Sequence, residues 1–379
     1  MNIQTANKNI DVLSQILSNI LSTDITLRTS AEKQIRLLLS QNLADFLLSI
    51  SQKLSDENER KEIRQLSATL IKNMISNSDY IQKYFELPLE KKQKIKENIL
   101  STLASSIIEV RKAAALAVAG ICRIEMPKKQ WSNIFDILCN TSQNQNLNIQ
   151  LSSLTTLEYI YEEISVKDID LNTKAKLLNN YYFLLDKNNE YNANIELTLA
   201  TLKSLDKFLP FISSFIYNKE QCIKFFELIK KKVMDPSSEK IRQEAIKIFI
   251  DISRLYYDSL DFFIEDIFYF SKKIIDNDID MNKIWILNLW FFIGYEEDYR
   301  INYLNNKKKS KYFLQKYIEH VSDMCLNILL TSAYNDEDDE ENSLYFSARQ
   351  LIYIMSRVCD FNFIQKIIEY IQINLNSNQ

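Results

Sequence analysis

Apolar residues recur at helical spacing along nearly the whole chain, in segments of about 15 to 20 residues broken by short polar turns. Phe46, Leu47, Leu48 and Ile50 form one such cluster within residues 42–54, and Leu66, Leu70, Ile71 and Met74 form another. Strand-like alternation is not sustained anywhere. The pattern predicts helices near 9–22, 26–39, 42–54, 59–76, 89–105, 108–124, 128–140, 147–165, 171–186, 193–208, 217–234, 238–257, 260–276, 280–295, 311–331, 343–358 and 361–375. Joined by short turns, consecutive segments become antiparallel pairs, eight and a half in all. That is a repeat architecture.

A local signature tests the period. An aliphatic-Arg pair followed, after two intervening residues, by a small residue occurs at Leu27-Arg28-Thr29-Ser30-Ala31, Ile63-Arg64-Gln65-Leu66-Ser67, Val110-Arg111-Lys112-Ala113-Ala114 and Ile241-Arg242-Gln243-Glu244-Ala245. The arginines are 36, 47 and 131 residues apart, and the last interval is three steps of about 44, within the range of helical HEAT and armadillo repeats. The small residue lets paired helices approach closely. The arginine, near a helix start, is placed to bridge to an acidic or carbonyl partner in the next repeat. The fold predicted is an all-α HEAT-repeat α-solenoid, a superhelix of about eight to nine antiparallel helix pairs.

Composition sharpens this by exclusion. Only two of 379 residues are glycine, Gly120 and Gly294, and only four are proline. Phosphate-cradling loops and most hairpin turns draw on glycine, so a dinucleotide fold, a P-loop or an all-β fold is disfavoured. Gly120 is expected to permit close helix packing, and Gly294 to end its helix as a C-terminal cap. The single histidine, His320, cannot supply a two-histidine zinc motif and reads as a solvated or satisfied surface imidazole. Cys122, Cys139, Cys222, Cys325 and Cys359 are 17, 83, 103 and 34 positions apart, which offers no metal-ligand pair and suits a reducing compartment. No catalytic residue, metal or cofactor is expected. The chain does not read as an enzyme.

A balance of 46 basic and 50 acidic residues argues against a phosphate-dominated nucleic-acid binder. The N-terminus lacks a continuous apolar stretch, and the longest apolar run, 284–295, reads as a buried helix rather than a membrane span. A chain that is neither secreted nor membrane-bound is the expectation.

Two polar stretches interrupt the repeat. Residues 299–311 contain Asn305-Asn306-Lys307-Lys308-Lys309, a lysine-rich loop or a nuclear localisation sequence. Residues 334–342 contain Asp336, Glu337, Asp338, Asp339, Glu340 and Glu341 in succession. Six adjacent carboxylates repel one another, so the run either stays solvated or meets a cationic partner, with a basic protein surface favoured. Lys230-Lys231-Lys232 reads as the solvated face of a helix near its C-terminus.

Four blocks carry a family resemblance. Ala31-Glu32-Lys33, Gln41 through Leu47, Arg64 and Ile71-Lys72-Asn73 form the first. Val118-Ala119-Gly120-Ile121-Cys122-Arg123-Ile124-Glu125-Met126-Pro127-Lys128-Lys129-Gln130-Trp131 is the most specific. Leu255-Tyr256-Tyr257, with Trp290 followed by Glu296-Glu297, makes the third, and the acidic run 336–341 the fourth. In order and spacing these resemble the N-terminal portion of the importin β (karyopherin β) family of nuclear import receptors. The acidic loop departs from the family pattern: it mixes Asp and Glu and continues as Asn342-Ser343-Leu344-Tyr345. The chain also ends after about nine repeats where the family continues for about as many again, so it reads as part of a longer protein.

The resemblance implies one continuous array over 1–379, containing an N-terminal Ran-binding region at 24–105 and an acidic loop at 334–342 that contacts Ran-GTP. It also implies binding of phenylalanine-glycine nucleoporin repeats, with Leu178, Asn179 and Tyr182 on one helix and Phe225 and Phe226 on another, unless those aromatics are ordinary core. An importin α-like adaptor or cargo would bind mostly through repeats beyond this chain. Cytoplasm, nucleus and the pore in the nuclear envelope are the implied locations. The alternatives are another karyopherin, such as a transportin-like receptor, or a HEAT scaffold outside transport, such as a phosphatase regulatory subunit.

Overall fold

The computed structural model describes residues 3–187, 194–303, 309–331, 343–359 and the helical residues 363, 365, 367–370, 372 and 373. The chain groups into two compact units, Met1–Asn180 and Tyr181–Gln379.

The first unit begins with α1 (Ile3–Ile20), α2 (Ile25–Gln41), α3 (Leu43–Ser55), α4 (Lys61–Ser76) and the short α5 (Ser78–Phe85). It continues with α6 (Leu89–Ser101), α7 (Ile108–Glu125), α8 (Ile134–Ser142) and α9 (Leu147–Glu163), and α10 (Leu171–Lys187) carries the boundary. Consecutive helices pair as α1 with α2, α3 with α4, α6 with α7 and α8 with α9, and the second helices stack in turn, α4 on α7 and α7 on α9. Helix α7 makes both contacts because its flanks are small: Ala114, Ala115, Ala117 and Ala119 are buried beside Val110, Val118 and Ile121. Close axes are what short side chains allow.

The second unit contains α11 (Ile195–Phe208), the single turn α12 (Ser213–Ile216), α13 (Lys219–Val233), α14 (Glu239–Leu255) and α15 (Ile264–Asn277). Helices α16 (Asp280–Asn302), α17 (Phe313–Lys316), α18 (Ile318–Thr331) and α19 (Leu344–Val358) follow. Pairing repeats as α13 with α14, α15 with α16 and α18 with α19, while α11, α14, α16 and α19 stack in order. The core holds Phe208, Phe249, Phe270 and Trp290, whose indole N–H donates to the Ser271 hydroxyl at 3.1 Å.

Turns without glycine are made by asparagine. Asn42, Asn77, Asn146, Asn194 and Asn218 each precede a helix and accept a hydrogen bond from one of its first backbone N–H groups. This supplies an orphan donor of the first turn with its partner and stops the preceding segment.

The helical pattern corresponds to observed helices along the described chain, with local differences. Helix α5 falls where no helix was expected, because Asn77 and Ser78 read as a turn but in fact cap a new helix. The expected 128–140 segment begins only at Ile134, after a 3-10 turn and two residues at positive φ. Helix α16 runs seven residues past 295, so Gly294 lies inside it and is not a cap. Gly120 is not a close-packing point either: a Cβ there would meet only the Lys72 Cγ, at an ordinary 3.6 Å.

The signature arginines also differ from expectation. Arg28 donates to the Ser22 carbonyl at 3.3 Å, and Arg111 to the Ser105 carbonyl at 2.7 Å. Arg64, fully buried, donates to the Leu54 carbonyl at 2.9 Å and to Glu57 at 2.6 Å. All three reach back ahead of their own helix, Arg64 to the last turn of α3 and the following turn, the others to the connecting turn, because a long side chain in the first helical turn points toward the N-terminus. Arg242 also reaches the next pair, binding both oxygens of Asp278 at 2.6 and 2.7 Å while holding the Asp235 carbonyl at 2.9 Å.

Candidate functional site

The most family-like block, 118–131, is built around one buried carboxylate. Glu125 ends α7, accepts the Tyr84 hydroxyl at 2.9 Å and pairs with Lys96. Burial and the adjacent carboxylate raise the Tyr84 phenol, so it stays a donor. Beyond Glu125 the chain turns through Lys129 (φ 55°) and Trp131 (φ 57°), left-handed conformations that cost side-chain-bearing residues of the order of 1 kcal/mol each. They are held by the Gln130 N–H donating to the Glu125 carbonyl at 3.0 Å and by the Lys96 ammonium 4.7 Å from the Trp131 ring centre. The block shapes a rigid corner after α7.

The second unit repeats the device. Glu297 is 1% exposed and accepts the Tyr257 hydroxyl at 2.8 Å and the backbone N–H groups of Phe313 and Leu314 at 2.5 and 3.3 Å. Burial raises its carboxyl against the pull of those donors and of Arg300. Arg300 lies 4.2 Å from the Tyr257 ring centre and pairs with Asp258 and Glu296, both at 2.7 Å. The Leu-Tyr-Tyr and Trp-acidic-acidic motifs thus meet in space through Tyr257 and Glu297.

The expected aromatic slot involves α10 and α13. Leu178 is buried and Asn179 exposed, and Tyr182, one turn on, lies with its ring 6.5 Å from that of Phe225. Phe225 and Phe226 are core residues, 1% and 3% exposed, with Phe226 stacked on Phe263. Above them is an open cleft of about 520 Å³ lined by Tyr182, Phe183, Lys224, Glu227, Leu228 and Lys231 among others. The Lys224 ammonium lies 4.8 Å from the Tyr182 ring centre, and the buried Tyr182 hydroxyl has no hydrogen-bond partner. Phe183, exposed, was not singled out in the sequence. Its signal was the run Tyr181-Tyr182-Phe183, which cannot face one way on a helix.

The acidic run Asp336, Glu337, Asp338, Asp339, Glu340 and Glu341 lies outside the described residues, as do Lys307 and Lys308. Lys311 pairs with Asp261. The lysines 230–232 are not a simple solvated face: Lys230 pairs with Asp266 at 2.7 Å, and Lys232 is buried, which lowers its ammonium's pKa. His320 is exposed, edge-on to Phe268 at 4.8 Å, beside a second cleft of about 750 Å³. Among the described residues no His, Cys, Asp or Glu group of three or more is placed to hold a metal ion, and no helix is long and apolar enough to cross a membrane.

Residues 31–105 match the family model of the importin-beta N-terminal domain. The chain is 26% identical over 291 residues to importin subunit beta-1 of Arabidopsis thaliana, covering 75% of this chain and 33% of that protein. It is 25% identical over 381 residues to importin subunit beta-1 of Saccharomyces cerevisiae, covering 96% and 44%. Among solved structures, yeast importin-beta (Kap95p) superposes with a TM-score of 0.86 at 22% identity, over 97% of this chain and 44% of that one. The Kap95:Nup1 complex gives 0.84 at 21% identity, over 97% and 44%. A structure in which Kap95p binding induces the switch loops of RanGDP to adopt the GTP-bound conformation gives 0.82 at 22%, over 97% and 43%.

The paired helices and their stacked second members therefore define an all-α HEAT-repeat solenoid fold. The chain carries a match to the importin-beta N-terminal domain at residues 31–105 and is similar along most of its length to importin subunit beta-1 from plant and yeast. It spans a third to under half of the length of those relatives.

Proposed function

We propose that the chain is a nuclear transport receptor of the importin β type that binds Ran-GTP and phenylalanine-glycine nucleoporin repeats, working in cytoplasm and nucleus and at the pore between them. The reading treats 1–379 as one continuous array and leaves adaptor or cargo mainly to repeats beyond it. The observation that carries it is the agreement in fold with Kap95p, the partner of Nup1 and of Ran in two of the structures above, over 97% of this chain. Differential binding, not covalent chemistry, is the mechanism. Two partners that favour different arrangements of the same repeats lower each other's affinity by linkage.

Ran enters through residues 24–105 and through the carboxylates 336–341, which steer a basic surface at long range. Capture assays should retain Ran loaded with GTP in preference to GDP, and equal retention overturns the reading. Exchanging the six acidic residues for Ser and Asn should weaken Ran-GTP binding about tenfold at low salt and less at moderate salt, as screening requires. Unchanged affinity at both salts removes the loop from the interface.

Nucleoporin repeats enter at the cleft around Leu178, Asn179, Tyr182 and Phe225–Phe226. A phenylalanine ring set against Tyr182, Phe183 and Leu228 would bury apolar surface in the cleft, and many weak sites of this kind give avidity with fast exchange. Truncating Phe225 or Phe226 would open a core cavity costing about 3–5 kcal/mol, so exposed Phe183 is the cleaner probe. Phe183→Ser should weaken binding to a phenylalanine-glycine repeat peptide about threefold with the circular dichroism spectrum unchanged. Wild-type affinity in that variant removes the cleft from the site.

A further inference from the structure

The stacked second helices of the second unit meet at an unsatisfied acid pair. Asp206, near the end of α11, faces Asp251, near the end of α14, in hydrogen-bond contact between the two carboxyls. Asp206 Oδ1 is buried and receives no donor. The charged groups around the pair do not cancel it. Helix α14 contributes Glu244, itself bound to Lys247 at 2.9 Å, and Arg254, which approaches Asp251 at 3.6 Å from an exposed position. The Lys247 ammonium also sits 4.8 Å from the Trp285 ring on α16. Helix α11 itself contributes Lys207, whose attraction is smaller than the repulsion from Asp251. The 3-10 turn Leu209–Ile212 that packs beside them carries no ionisable side chain. Two half-buried carboxylates in contact, with one oxygen out of reach of water, cannot both hold a charge at low cost.

We infer that Asp206 and Asp251 form a proton-held clasp between successive helix pairs, closed while one proton is shared and released when that proton leaves to solvent. With the proton in place, one carboxyl donates to the other and the buried oxygen is neutralised. Without it, two like charges face each other across the α11–α14 contact. Burial first, then the charge and hydrogen bond of Asp251, push Asp206 from its ordinary 3.8 up to about 7. The sign follows from the raised value: the folded form binds the proton more tightly than the unfolded chain. Its stabilising contribution is complete in acid, declines as pH rises from about 4 toward 7, and is gone above that. The clasp therefore changes state near neutral pH.

The test is amide hydrogen exchange of the full chain at pH 6 and pH 8, corrected for the intrinsic rate, followed in peptides from 195–208 and 239–255. Wild-type protection in those two helices should fall about tenfold between the two pH values. In Asp206→Asn, whose amide donates permanently to Asp251, protection should be the same at both. Asp251→Asn should level the profile in the same way, and it serves where Asp206→Asn does not fold. Equal wild-type protection at pH 6 and 8 overturns the inference. So does a variant that keeps the wild-type pH dependence.

Discussion

Replacing Glu297 with alanine should destabilise the second unit by about 3–5 kcal/mol, the cost of breaking a buried charged network from one side. The carboxylate accepts three donors from two distant segments, the Tyr257 hydroxyl and the N–H groups of Phe313 and Leu314. Alanine removes every acceptor and leaves those donors where water does not reach, each orphan costing about 1–3 kcal/mol. Arg300 also loses part of the negative field around it. Glu297→Gln keeps one oxygen but turns an N–H toward the backbone donors, so about half the loss should remain. Urea unfolding followed by tyrosine and tryptophan signals measures both. A loss below about 1 kcal/mol for alanine would mean that the donors find other acceptors, and the hub would not organise the turn at 309–313.

The two glycines should respond to the same substitution with opposite signs. At Gly294 an added Cβ would overlap the Leu314 Cδ1 and lie 3.1 Å from the Ile354 Cγ2. Both neighbours are buried, and Ile354 is β-branched, so neither can swing aside into solvent. Overpacking of this kind costs about 1–3 kcal/mol, and larger side chains cost more. Gly294→Ala should therefore lose about 2 kcal/mol even though alanine favours the helix, and Gly294→Val about 3 kcal/mol or more. Gly120→Ala meets only Lys72 at 3.6 Å and should gain about 0.5–1 kcal/mol from its helix preference. Thermal midpoints of the two alanine variants should move in opposite directions. A stabilised Gly294→Ala would disprove the close contact of α16 with Leu314 and Ile354.

The helical skeleton was legible because each helix writes its apolar period locally. Leu66, Leu70 and Ile71 need no knowledge of their partners to mark α4 as amphipathic. What could not be read depends on residues far away in sequence. Helix α16 continues through polar Glu296, Glu297 and Arg300, where the sequence suggests a loop, because Tyr257, Asp258 and the 313–314 backbone satisfy those charges. Tyr257 and Glu297 each belong to a stretch that resembles the family, but their hydrogen bond is not deducible from either stretch. Lys232 reads as exposed for the same reason: its neighbours Lys230 and Lys231 face water or acid, and the helix turns it inward. At the candidate cleft, Tyr182 was legible from the resemblance, whereas Phe183, Lys224 and Leu228 required the packing of α10 and α13. The Asp206–Asp251 contact joins residues 45 positions apart with no motif in common.

The backward reach of the arginines bears on how such a chain changes over generations. Arg28, Arg64 and Arg111 take carbonyls from the segment just ahead of their own helix, within the same pair, so a helix pair is a cassette that carries these ligands with it. Duplicating or excising one such cassette keeps each of these guanidiniums with these carbonyls. Arg242 breaks that independence, since Asp278 belongs to the following pair. Excision between those two pairs would strand a half-buried guanidinium, and they are bound to be inherited together.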